Sequence, residues 1–143
     1  TLAANANGIA CAMEDKPARS AAERALMLRA ARAARTHWER AGTWLEVERA
    51  EYRLAMSWLK ADDLPQARRH AQACLEIVRE HDAAALDHFF AWEALGRVER
   101  AAGNATGHAH ALAQAREAFA RLEPGDTGWC RPSLDGLAAP QPG

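Results

Sequence analysis

Apolar positions recur along this chain at helical spacing. Leu2, Ala6, Ile9, Ala10 and Met13 fall on one side of a short first segment, which Asp15-Lys16-Pro17 breaks. Ser20-Ala21-Ala22-Glu23 reads as a capping box, in which hydroxyl and carboxylate satisfy each other's orphan N–H groups. The helix it opens carries Leu26, Ala30, Ala33 and Ala41 on one arc and stops at Gly42. Thr43-Trp44-Leu45-Glu46 is a second box one residue later, so the first two long helices are expected to form a tight antiparallel hairpin. Each box contributes about 1 kcal/mol. The second helix ends near Lys60, and Pro65 suits the first turn of the third, which runs to about Glu80. Asp82 is the expected cap of a fourth, ended by Gly103-Asn104, and a fifth spans about Thr106 to Leu122. Residues 1–122 are thus expected to form one domain, with 1–17 a short helix and linker. The Gly/Pro-rich tail, 123–143, is expected to be extended or disordered.

A pattern appears twice. Leu54-Ala55, Trp58, Asp62, Ala67, Ala71 and Cys74 return 41 positions later as Leu95-Gly96, Glu99, Gly103, His108, Leu112 and Ala115. Large and small residues, then a turn, then three small-to-medium residues suit two helices that pack closely. This spacing resembles the tetratricopeptide (TPR) helix-turn-helix repeat, although its period is longer than the usual ~34 residues and the closing proline is absent. Across a longer span, Glu14-Asp15-Lys16-Pro17-Ala18-Arg19, Ala33-Ala34-Arg35-Thr36-His37-Trp38, Gly42-Thr43, Ala50-Glu51-Tyr52, His70-Ala71, Cys74-Leu75-Glu76 and Phe90-Ala91-Trp92-Glu93-Ala94-Leu95 resemble a family of small bacterial TPR-like proteins. The resemblance implies an all-α fold, five main helices stacked as antiparallel hairpins in a short superhelix. It implies no chemistry.

Composition narrows the class further. Alanine fills 36 of 143 positions and Ile with Val only 5, a balance hard to reconcile with β-structure. The net charge of −1 lacks the uniformly basic surface of a nonspecific nucleic-acid binder. No apolar run approaches the ~18–20 residues of a membrane span. Cys11, Cys74 and Cys130 are odd in number and widely spaced, as expected of reduced thiols in a cytoplasmic protein. No secretory signal pattern opens the sequence.

The second helix holds two carboxylates within apolar stripes. Glu51 lies among Trp44, Val47, Leu54 and Trp58, and Glu48 among Leu45, Tyr52, Ala55 and Leu59. Burial of such groups costs several kcal/mol unless they are paired, hydrogen-bonded or protonated. His37 is level with Glu48 across the expected hairpin, and His70 and Glu93 are placed to extend the same layer. His37, Glu48, Glu51, His70 and Glu93 therefore form a candidate polar pocket. The plainer reading is a hydrogen-bonded cluster that fixes helix register. Paired carboxylates and histidines also hold metals in helical bundles, but the Glu-x-x-His spacing is missing. No metal, cofactor or catalytic residue is assigned.

His108-x-His110 points to two sides of a helix and reads as surface. Sixteen of the 18 basic residues are Arg, and Arg29, Arg32 and Arg40 share a side of the first helix as a candidate face for an acidic partner. Trp38, Trp44, Trp58, Phe89, Phe90 and Trp92 read mainly as core anchors, with one or two lining a groove. The expected function is a non-catalytic interaction module for a protein or peptide. A small-molecule or metal-binding protein, or an enzyme using the His/Glu cluster, is the alternative. A homodimer is a third.

Overall fold

The computed structural model describes residues 21–41 and 43–140, and within them all side chains except those of 34 and 36–41. The described residues form six helices and no strand: α1 (Ala21–Ala41), α2 (Trp44–Lys60), α3 (Leu64–Glu80), α4 (Ala85–Ala101), α5 (Ala105–Ala120) and α6 (Pro124–Ala138). None is long and apolar enough to cross a membrane. The expected short helix near the N-terminus and the Ser20 box lie outside the described residues.

The 41-residue period is built into the backbone. α2 starts at 44 and α4 at 85, α3 at 64 and α5 at 105. Asp62 and Gly103, also 41 apart, take left-handed φ values of 63° and 74° in the two hairpin turns. Each turn is closed by the same i to i+5 bond, from Asp63 N to Trp58 O (3.0 Å) and from Asn104 N to Glu99 O (2.9 Å). Asp63 then caps α3 by accepting from Gln66 N at 3.1 Å, and Asn104 caps α5 by accepting from Gly107 N at 3.1 Å. Thr43 caps α2 through Glu46 N at 3.4 Å.

Asp82 does not cap α4. It turns the chain with φ 48°, and α4 begins after Ala84 with no side-chain cap. The link needs a left-handed residue, which Asp tolerates better than most.

Successive helices pack side by side, and α4 also touches both α2 and α6, so α2, α4 and α6 lie in one row. Ala67, Ala71, Ala94, Ala111 and Ala115 are fully buried, as close helix approach requires. The core runs through Leu75, Val78, Phe89 and Trp92 into α6.

That last helix overturns the expectation of an extended tail. Cys130, Leu134 and Leu137 are buried on one face of α6 and join the core. Gly125, Gly128, Gly136 and the internal Pro132 are poor helix formers, each costing ~1 kcal/mol or, for Pro, ~3. Tertiary packing outweighs them. Gly96 makes room for it: a Cβ there would stand 2.8 Å from Leu137 Cδ1. Arg100 Nη1 donates to the carbonyls of Gly136 (2.6 Å) and Ala139 (3.2 Å), which ties down the C-terminal end of α6.

Candidate functional site

The expected His/Glu layer divides into three separate arrangements. Glu51 on α2 accepts from Arg35 Nε of α1 (2.5 Å) and is 2.6 Å from His70 Nδ1 of α3, so one buried carboxylate ties three helices together. Burial alone would raise the Glu51 carboxyl, but the hydrogen bonds from His70 and Arg35 outweigh it and hold the group below its ordinary range. With Glu51 ionised, His70 Nδ1 carries the proton and donates.

Glu93 on α4 is buried and accepts instead from the Tyr52 hydroxyl of α2 at 2.7 Å. Burial first, then the Glu93 carboxylate, push the Tyr52 phenol well above its usual value.

Glu48 belongs to neither pair. It is only 2% exposed. Burial, with Asp87 adding to it and Arg49 opposing, pushes its pKa up to about 8. The side chain of His37, the expected partner, lies outside the described residues, as does that of Arg40. Of the expected arginine face, Arg29 is exposed and Arg32 lies over the Trp58 ring at 4.9 Å.

Glu48 is one of the residues lining a cavity of about 550 Å³ between α2, α4 and α6. Asp87, in the first turn of α4, also lines it; burial raises that carboxyl too, against the pull of Arg49 at 4.0 Å. Tyr52, Phe90 and Trp129 form an aromatic wall. Phe90 meets Tyr52 edge-on with centroids 5.8 Å apart and stacks on Trp129 at 5.6 Å. Trp129 is held by its Nε1, which donates to Asp126 Oδ1 at 2.8 Å, yet it stays 55% exposed. Arg49 and Arg53 stand on α2 beside the acidic floor, Arg53 5.7 Å from the Tyr52 ring centroid.

Sequence reasoning missed most of this cavity. Trp129 lies in the segment expected to be extended, and Asp87 belongs to none of the stripes or boxes from which the expected site was drawn. The 41-residue repeat carried the missing signal, since it makes α2 and α4 equivalent helices.

Other candidates have structural partners. His108, expected at the surface, is half-buried and within 2.9 Å of Leu137 O, while His110 is exposed and meets the Trp92 ring edge-on. His81 stacks on Trp44 at 4.9 Å. Cys74 and Cys130 are free and buried, and burial first of all raises the Cys74 thiol well above its ordinary value. It is no ready nucleophile. Among the described residues no group of three His, Cys, Asp or Glu is placed to hold a metal ion.

In comparisons with protein-family models, curated proteins and solved structures, nothing matches this chain.

Proposed function

We propose that this chain is a TPR-like interaction module that holds a peptide segment of a partner protein along the face formed by α2, α4 and α6. The repeated 41-residue hairpin and the row of alternate helices support the TPR-like reading. The observation that carries the functional reading is Trp129. A large aromatic side chain more than half exposed, stacked on Phe90 at the edge of a cavity, is the kind of anchor that binding surfaces use. Arg49, with its side chain 59% exposed, adds a donor for peptide carbonyls beside it. The module is non-catalytic: Glu51, His70 and Glu93 serve as ties between helices. A cytoplasmic setting fits the thiols of Cys74 and Cys130, both free and buried.

Panning a random peptide library against the immobilised chain tests this. The selected peptides are expected to lose at least about tenfold in affinity on Trp129→Ala, a factor typical of one buried aromatic anchor. Peptides that bind Trp129→Ala and Arg49→Ala as well as the unaltered chain would overturn the reading. A second copy of the chain is the competing occupant, and a mass that rises with concentration and falls on Trp129→Ala would identify it.

A further inference from the structure

We propose that the segment bound along α2, α4 and α6 is acidic, with carboxylate side chains held by Arg49 and Arg97 on either side of Tyr52. The inference rests on the peptide-binding reading and names the charge of the partner that this face selects.

Arginines follow one another along the face. Arg49 and Arg53 of α2 line the cavity together with Tyr52, Phe90 and Trp129. One turn of α2 beyond Tyr52, Arg97 of α4 lies against Met56, with Nη1 3.4 Å from Sδ. A thioether is a weak acceptor and carries no charge to offset the guanidinium. Arg97 and Arg53 both act by their charge on the Tyr52 phenol, which sets two cations near one hydroxyl. Arg49 is mostly exposed, and Asp87 stands 4.0 Å from it, the outer limit of an ion pair. A surface pair of that length contributes little, so a ligand carboxylate displaces it at small cost.

The acids of the same face leave this charge in excess. Glu93 is buried and accepts from the Tyr52 hydroxyl at 2.7 Å. Glu48 is almost fully buried, and burial holds its proton up to about pH 8, so it brings no charge at neutral pH. Along the cavity Asp87 is then set against Arg49 and Arg53, and Arg97 adds a third cation.

Carboxylate side chains suit these groups. A guanidinium clasps both carboxylate oxygens with parallel donors, a geometry that a lysine or a neutral amide in the ligand cannot use. The stacked rings of Phe90 and Trp129 supply apolar contact beside the charges, where a bulky side chain of the same peptide packs. A cationic segment would meet like charge along the same line.

The test uses the full chain and fluorescein-labelled heptapeptides whose central Phe is flanked on each side by two Glu, two Gln or two Lys. Fluorescence anisotropy at low salt should show the Glu probe binding at least about fivefold more tightly than the Gln probe, with the Lys probe weakest. High salt should erase that preference. Arg49→Gln and Arg97→Gln should each reduce it at least about twofold, whereas Arg97→Lys, which keeps the charge, should retain more of it. Arg69→Gln and Arg116→Gln, exposed on α3 and α5, should leave it unchanged. Trp129→Ala should weaken the Glu and Gln probes alike. Equal binding of the Glu and Gln probes, no binding of the Glu probe at about 1 mM, or equal effects of Arg69→Gln and Arg97→Gln would overturn the proposal. If the Gln probe matches the Glu probe and both weaken in Trp129→Ala, the charge claim falls alone and the face stands. If the Glu probe binds but ignores Trp129→Ala, Arg49→Gln and Arg97→Gln, the peptide-binding reading of this face falls with it.

Discussion

Tyr52 donates its hydroxyl proton to Glu93 at 2.7 Å across a separation of 41 residues, one full period of the repeat. Arg97 and Met56, the next such pair along the same helices, also touch, with Nη1 3.4 Å from Sδ. α2 and α4 thus face each other as equivalent helices one repeat apart. Tyr52→Phe would leave the buried Glu93 carboxyl without this donor and should cost about 1.5–3 kcal/mol, the range for a hydrogen bond to a charged group. Urea denaturation measures it, and a loss under about 0.5 kcal/mol would mean that Glu93 needs no such partner.

Glu51 should behave as a buried tie under acid. Its carboxyl is held below the ordinary value of 4.5, so its contribution to stability is present above that value and lost as pH falls through the lowered one. Glu51→Gln should cost about 2–4 kcal/mol near pH 7, part of it from leaving Arg35 and His70 unpaired. The gap from the unaltered chain should narrow at pH 3. A gap of constant size would place the effect in packing instead.

Glu48 should show the opposite sign. Its folded-state value of about 8 lies far above the ordinary 4.5, so the unaltered chain should lose stability as pH rises between the two. Each pH step of one across that interval is worth at most about 1.4 kcal/mol, and relaxation around the cavity reduces the total. Glu48→Gln cannot ionise. It should exceed the unaltered chain by at least about 1 kcal/mol at pH 9 and lose that advantage by pH 4. Thermal melts at the two pH values decide it; equal pH profiles would show Glu48 to be solvated. A group that weakens the fold while lining a cavity is where a binding role is to be sought.

The end of α6 is held from α4 and α5 by Arg100 and His108. Arg100→Ala should speed amide exchange across 124–138 by at least about tenfold while leaving α2 and α3 protected. Uniform acceleration would mean that α6 opens only with the whole domain.

The all-α class, the hairpin turns and the repeat could be read from caps, left-handed positions and the spacing of Leu54 and Leu95, because those are local signals. α6 could not. Its buried positions Cys130, Leu134 and Leu137 carry a helical period, but three glycines and Pro132 interrupt it, and only contact with Gly96 and Arg100 offsets their cost. The site failed differently. Burial of Glu48 and Glu51 followed from their stripes, whereas the pairings depended on helix rotation: Arg35 and His70 meet Glu51, and Tyr52 meets Glu93. A few tens of degrees separate a shared layer from these distinct pairs. Glu48 was left lining a cavity whose third wall came from the helix that could not be foreseen.

The most direct test of the binding face is a backbone amide shift map of the labelled chain with a peptide selected from the library. Perturbations should concentrate at 48–53 on α2, 86–90 on α4 and 126–130 on α6, and should vanish in Trp129→Ala at the same peptide concentration. Shifts centred instead on the exposed side of α3 and α5, around Gln72 and Ala113, would contradict the account and move the binding surface to the opposite row of helices.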